Sequence, residues 1–339
     1  MARVVRAEVF DPREVSVFHC IQRCVRRCFL CGRDELTGRD YEYRKQWIEE
    51  RLAFLAGCFG IDVLGFAVLA NHFHVILRNR PDVVAGWSDI EVARRWYRVC
   101  PLRKTEAGEP EEPTEGELNA ICGNPERLAE IRLRLSDLSW FMRFAAEPVA
   151  RRANAEDRCT GRFWQGRFKS VKLCDEAAIL ACGIYVDLNV IRAGCATTPE
   201  TSDHTSAKLG IENRAEWLAP VDLAENQPQP GPANSVQSTR ASDKGFLPLP
   251  LAHYLQLLDW TGRQVVPGKR GVIPAHLASI LERVGIPSET WLELSLGFGR
   301  QFHRMAGSPA SLARESARAQ RGFRSPGTRL LAAAAARRR

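Results

Sequence analysis

Asn71-His72-Phe73-His74-Val75-Ile76-Leu77 decides how this chain is read. Successive side chains on a strand point to opposite faces. His72 and His74 therefore share one face, while Phe73, Val75 and Leu77 share the other and face a core. Two imidazoles on one pleated face are a ready ligand pair for a divalent metal. The plainer reading is a pair of hydrogen-bonded histidines on a sheet surface. Just upstream, Ile61 to Ala70 is short and strongly apolar. It reads as a strand antiparallel to His72–Arg78, with Asn71 at the turn.

Working outward, Val15 to Arg23 alternates and reads as a first strand. Asp40 is placed to cap a helix running to about Phe59, with Ile48, Leu52, Leu55 and Phe59 as its apolar stripe and Gly60 as its stop. Ser88 caps a short helix to Arg98. Residues 101–123 carry six glutamates among prolines and glycines, and read as a mobile acidic insertion. From Pro125 a long helix is expected, with Leu128, Ile131, Leu135, Leu138 and Met142 buried and Pro148 kinking or ending it. Asp175 caps a helix to about Ala193, closed by Gly194. The order β-α-β-β-α-α-β-α predicts an α+β fold: a ferredoxin-like, split-βαβ antiparallel sheet with helices on one face.

One domain is expected over residues 1–200, then a connecting segment over 201–223. The Pro- and Gln-rich stretch around Gln227–Pro232 makes 224–245 a linker. A small helical C-terminal module follows over 246–308, built on His253–Thr261, Ile273–Val284 and Glu289–Met305. Residues 309–339 read as a basic, disordered tail, with Arg314, Arg318, Arg321, Arg324, Arg329 and Arg337 to Arg339.

The net charge of +8 favours a polyanionic partner without naming it. No segment reaches the roughly 18 consecutive apolar residues of a membrane span. Met1 to Phe10 lacks a signal-peptide core. A cytoplasmic protein with no membrane partner is expected. Eleven cysteines then imply mostly free thiols. Cys28-x-x-Cys31, beside Cys20 and Cys24, has zinc-ligand spacing but no second pair at finger-like distance. It reads as small buried residues or, alternatively, as a structural zinc site.

The second chemical segment is Ile184-Tyr185-Val186-Asp187-Leu188-Asn189-Val190-Ile191-Arg192-Ala193-Gly194. On a helix Tyr185 and Asn189 are one turn apart and share a face. Phosphodiester cleavage needs a nucleophile and stabilisation of charge on the phosphoryl oxygens. A tyrosine hydroxyl can attack phosphorus and leave a covalent phosphotyrosine. Asn189 offers an oxygen that completes a metal shell beside His72 and His74, a mixed set suited to Mn²⁺ or Mg²⁺. Between the two segments, Gly161-Arg162-Phe163-Trp164-Gln165-Gly166-Arg167-Phe168-Lys169-Ser170 interleaves basic and aromatic residues. Arg162, Arg167 and Lys169 can neutralise phosphates, and Trp164 can stack a base or fill the core. Arg23, Arg26 and Arg27 extend that basic surface.

These three segments, in this order, resemble the REP-associated tyrosine transposases, within the single-tyrosine HUH transposases. The likeness spans about residues 10–200. It implies a ferredoxin-like catalytic domain, metal-dependent cleavage of single-stranded or hairpin DNA, a 5′-phosphotyrosine intermediate, and rejoining without ATP. Carried onto this chain, His72, His74 and Asn189 bind the metal and Tyr185 is the nucleophile. Related enzymes are often dimers, which extends the expectation to a homodimer. The chain departs from the pattern at Val190, where the family usually has proline, and in its acidic insertion and C-terminal regions. Two alternatives stand beside this one: a non-catalytic nucleic-acid-binding protein on the same fold, and a zinc-dependent regulator built on the cysteines.

Overall fold

A computed structural model describes residues 10–25, 31–33, 38–106, 110–225, 239–264, 281, 286 and 288–318. Its centre is a sheet of β1 (Ser16–Arg23), β2 (Ile61–Val68), β3 (His72–Asn79), β4 (Lys169–Leu173) and the short β5 (Met305–Ala306). The strand order is β2-β3-β1-β4-β5. All pairings are antiparallel except β4–β5, which is parallel. β1 therefore lies between β3 and β4, and the β2–β3 hairpin packs to one side, which is the split-βαβ arrangement.

The helices are α1 (Arg44–Ala56), α2 (Pro81–Ala85), α3 (Asp89–Val99), α4 (Glu115–Cys122), α5 (Pro125–Leu135), α6 (Leu138–Glu156), α7 (Glu176–Arg192), α8 (Ser206–Ile211), α9 (Leu251–Arg263), α10 (Ser288–Gln301) and α11 (Pro309–Arg318). The α+β class stands, but helices cover both faces of the sheet rather than one. On the first face Phe18, Phe66, Phe73, Val75 and Leu77 pack under α1 and α6. On the second, Ile76, Val171 and Leu173 pack under α7, α9 and α10. Residues of the expected C-terminal module thus share one core with α7. The reason is α7 itself: Ile179, Leu180, Ile184, Val186, Leu188 and Val190 are all buried, so it carries apolar surface on more than one side.

The acidic stretch 101–123 holds α4, whose Thr114 and Glu117 form a reciprocal capping box. Leu118 and Ile121 then bury with Trp96 and Ile131 in a third, smaller core. The helix from Pro125 is two helices, because Asp137 accepts from the Ser139 and Trp140 amides and restarts the chain as α6. Pro148 does not end α6. A proline at this position frees the carbonyl four residues earlier. That carbonyl belongs to Phe144, and Arg51 Nε donates to it at 2.8 Å.

α1 begins at Arg44 rather than near Asp40, whose carboxylate instead accepts from the Glu42 amide at 2.8 Å. The stretch read as a disordered tail from 309 opens with α11, tied down by Lys172 to Glu315 at 2.6 Å. Arg26, Arg27, Cys28, Gln227–Pro232, most of Ile273–Val284 and the arginines from Arg321 onward lie outside the described residues. Cys20, Cys24 and Cys31 are buried in the first-face core. Among the described residues no group of three or more His, Cys, Asp or Glu is placed to hold a metal. No helix there is long and apolar enough to cross a membrane.

Candidate functional site

Register on the sheet fixes what meets what. Facing residues of paired strands share a face. Arg23 lies opposite His72, Ile21 lies opposite both His74 and Lys169, and His19 lies opposite Ile76 and Val171. One face of the sheet therefore carries His19, Arg23, His72, His74 and Lys169. The alternation places Phe73 and Val75 on the other face, in the core.

The imidazoles touch. His72 and His74 have ring centroids 4.9 Å apart. His19 Nε2 and His74 Nδ1 share a hydrogen bond of 2.8 Å. His72 Nδ1 is taken by the neighbouring Asn71 carboxamide oxygen. Both His72 and His74 thus have Nδ1 engaged by a fixed partner, leaving Nε2. This is the arrangement in which an outer partner orients a ligating imidazole. His74 Nε2 is buried and has no hydrogen-bond partner. Such an orphan is costly unless something else satisfies it. If His74 presents a bare Nε2, its Nδ1 carries the proton and donates to His19.

Burial sets the charge state. His19 is 1% exposed and His74 2%. Desolvation lowers the His19 pKa to about 3, helped by the charge of His72. It lowers His72 to about 4, with Arg23 as the second cause. His74 is pushed down too, by burial first and then by His19, His72 and Arg23. All three are neutral at neutral pH, the form in which imidazole binds metal.

Tyr185 reaches this cluster from α7. Asp175 caps the helix by accepting from the Ala178 amide at 3.0 Å. Gly194, at φ +72°, provides the left-handed stop that favours glycine. Between them Ile184 and Leu188 are buried and Tyr185 is turned toward the sheet. Its ring centroid lies 5.7 Å from that of His74 and 6.0 Å from that of His19, edge-on to both. The Arg192 guanidinium stands 5.6 Å from the same ring. Burial raises the Tyr185 pKa, opposed chiefly by Arg192.

α10 closes over the phenol. Phe298 is 5.8 Å from the Tyr185 ring. A Cβ built on Gly299 would lie 2.5 Å from the Tyr185 hydroxyl, so glycine is what allows this approach. Asn189 Nδ2 donates to the Tyr185 carbonyl at 2.9 Å, leaving its carboxamide oxygen as the group offered to a ligand.

The structure therefore brings His72, His74 and Tyr185 together on one face, with Arg23 and Lys169 exposed beside them and Asn189 one helical turn beyond Tyr185 on α7. Trp164 lies elsewhere. Its indole N–H donates to Ala146 O at 2.7 Å, and its ring sits 5.8 Å from that of Phe73, behind the sheet. Arg162 and Arg167 are exposed on the loop that joins the end of β1, where Gln165 N donates to Arg23 O at 2.8 Å. The sequence reading missed His19. Its signal was the parity it shares with Ile21 and Arg23 on a strand that a split-βαβ fold sets beside β3.

Two imidazole nitrogens and a carboxamide oxygen suit a hard or borderline divalent cation with water in its remaining positions. The orphaned His74 Nε2 fits that role.

The chain matches no protein-family model and no curated protein. A solved structure described as a REP-associated tyrosine transposase bound to a REP hairpin is similar to it at 12% identity and a TM-score of 0.34. The match covers 66% of this chain and 90% of that one. At that score the likeness carries no argument.

Proposed function

We propose that this chain is a divalent-metal-dependent single-stranded DNA endonuclease and strand transferase, a transposase in class, with Tyr185 as its nucleophile. The observation that supports it most is the convergence of Tyr185 with His74 and His19, all within 6.0 Å between ring centroids, from three separate elements. Tyrosine edges against buried, neutral imidazoles have a use in phosphoryl transfer that packing alone does not require.

His72 Nε2, His74 Nε2 and the Asn189 oxygen would hold the cation. A bound Mn²⁺ or Mg²⁺ supplies charge stabilisation on a phosphate oxygen and orients the phosphodiester. Tyr185 Oη forms a bond to phosphorus, and the bond from phosphorus to the 3′ oxygen breaks. The phenol proton passes to solvent, and the departing 3′ oxygen takes one up. The product is a 5′-phosphotyrosine, a phosphodiester in its own right. A 3′ hydroxyl can therefore attack it and release Tyr185 without ATP. Arg23 and Lys169, exposed on the histidine face, neutralise flanking phosphates of single-stranded or hairpin DNA. Arg192 helps the phenol lose its proton.

The test is a covalent adduct on a denaturing gel, from purified protein, Mn²⁺ and single-stranded hairpin DNA. Tyr185→Phe should abolish the adduct, and His74→Ala should reduce it together with Mn²⁺ binding by calorimetry. An adduct formed equally by Tyr185→Phe would remove the assignment. A second reading, a non-catalytic nucleic-acid-binding protein on the same fold, is favoured by the packing of the Tyr185 hydroxyl against Gly299. Metal-independent hairpin binding with no adduct would decide for it.

A further inference from the structure

Behind the sheet, on the face away from the histidines, α1, α3 and α6 enclose an open cavity of about 1050 Å³. Its walls are aromatic: Trp47 and Phe54 from α1, Trp96 from α3, Trp140 and Phe144 from α6. Trp47, Phe54, Trp140 and Phe144 are only partly buried, so each leaves ring surface uncovered. Around them stand six cationic side chains, Arg51, Arg98, Lys104, Arg143, Arg151 and Arg152, against two carboxylates, Glu50 and Glu147.

The guanidiniums are held in place. Arg152 lies 3.9 Å from the Trp47 ring centroid, Arg51 4.8 Å from Phe54, and Arg143 5.3 Å from Trp140. A guanidinium stacked on a ring loses little freedom when it meets an anion. Arg143 and Arg151 already pair with Glu147, at 3.2 and 3.1 Å, which leaves Arg51, Arg98 and Arg152 as the cations for a ligand. Arg51 is the most telling. Its Nε is spent on the Phe144 carbonyl that Pro148 leaves open. No carboxylate among the described residues forms an ion pair with it, although its guanidinium is partly desolvated. A half-buried cation that lines an aromatic cleft, with no ion pair among the described residues, asks for an anion.

We infer that this groove binds a short run of single-stranded nucleic acid, with phosphates on Arg51, Arg98 and Arg152 and bases against Trp47, Phe54 and Trp140. Aromatic walls with interleaved arginines match a chain that alternates flat bases and phosphates. An acidic peptide would use the cations and leave the rings idle. Duplex DNA presents no unstacked bases to reach them. The volume is at the upper end of small-ligand pockets, and the cavity is open to solvent rather than enclosed. The inference is independent of cleavage at Tyr185, because the two regions lie on opposite faces of the sheet.

The test uses the full chain with EDTA and a fluorescent 12-mer of deoxythymidine, read by anisotropy. The double variant Arg98→Gln/Arg152→Gln should lower the slope of log K against log salt by about 1.4 and weaken binding about 20-fold at about 0.1 M salt. Trp47→Ala should weaken it about tenfold, with Trp47→Phe restoring most of the loss. Photocrosslinking with iodouridine in the same oligonucleotide should label peptides of α1 and α6. Crosslinks confined to residues 162–192 would overturn the inference and leave the histidine face as the binding site. Equal displacement by polyglutamate at matched charge would overturn it in favour of an acidic peptide. Adduct formation at Tyr185, measured separately on a hairpin, should survive the double variant. Its absence in the wild type would count against the proposed function and leave the groove standing.

Discussion

The histidine cluster should make the metal-free protein labile to mild acid, and the size of the effect follows from its burial. An unfolded histidine titrates near its ordinary value of 6.5. In the fold His19 is lowered to about 3 and His72 to about 4. Because the folded values lie below the unfolded one, the unfolded chain binds more protons as pH falls through 6.5. Stability is fully present above that value and drains away toward the folded pKa values. From about pH 7.5 to about pH 5, each of these two groups should cost about 2 kcal/mol. His74 adds in the same direction.

One buried group opposes them. Asp187 is raised to about 6 by desolvation, with its hydrogen bonds acting against the shift. Its folded pKa lies above the unfolded value, so over the same interval it gains about 1.4 kcal/mol. The histidines win, for a net loss of about 2.5 kcal/mol or more. The assay is urea unfolding in EDTA, followed by tryptophan fluorescence at the two pH values. The sharp comparison is wild type against His19→Gln, in which contributions from the rest of the chain cancel. The acid-induced loss should be smaller by about 2 kcal/mol in the variant. Equal losses in the two proteins would mean that His19 protonates in the fold, and the neutral-imidazole account of the site would fall with it.

The remaining predictions concern what holds the site together. Asp187 accepts from Ser206 Oγ at 2.7 Å, Ala207 N at 3.1 Å and Tyr254 Oη at 2.6 Å. Asp187→Ala strands three donors and should cost about 3 kcal/mol in urea unfolding at neutral pH, whereas Tyr254→Phe should cost about 1 kcal/mol. Arg44, fully buried, binds Glu156 and Asp157 and joins α1 to the end of α6. Arg44→Ala takes the guanidinium from both carboxylates, leaves Glu156 to Tyr43 Oη, and should lower stability by about 3 kcal/mol by the same assay. Gly299→Ala should displace the Tyr185 hydroxyl from beneath α10 and speed its nitration, mapped by mass spectrometry. An unchanged rate would show that α10 does not cover the phenol in solution.

What the sequence disclosed follows periodicity. β1 and β3 were legible because their side chains alternate, β2 because a short continuous apolar run fits a strand buried on both faces, and α7 because Asp175 and Gly194 mark its ends chemically. The split order was legible too, since two strands that adjoin directly leave few places for the others. Concealed features depend on partners distant along the chain. Pro148 reads as a helix breaker until Arg51, from another helix, is seen to take the orphaned Phe144 carbonyl. The Glu-rich insertion reads as disordered because composition counts charges, whereas α4 needs only Leu118 and Ile121 on one side and a two-residue capping box. Coverage of both sheet faces was hidden for the same reason. α7 is apolar on several sides, but no local pattern says that α9 and α10 fill the far one.

His19 shows the same limit at the site. It stands alone among apolar neighbours, and nothing near it in sequence resembles the His72–His74 pair. Only the register of β1 against β3 brings its ring to His74 Nδ1, and only then is one nitrogen of each ligand candidate fixed from behind. That has a consequence for the order of events. A cation at the two Nε2 atoms requires the proton of His74 to sit on Nδ1, and so requires His19 to accept at Nε2. A hydrogen-bonded neighbour that can only donate at that position would force His74 to protonate Nε2 and would remove the ligand without removing the ring. His19→Gln keeps an acceptor and His19→Lys keeps only a donor. If the buried trio serves a cation, Mn²⁺ affinity should survive the first change far better than the second. A pair of histidines kept only for packing would feel the two substitutions through stability alone.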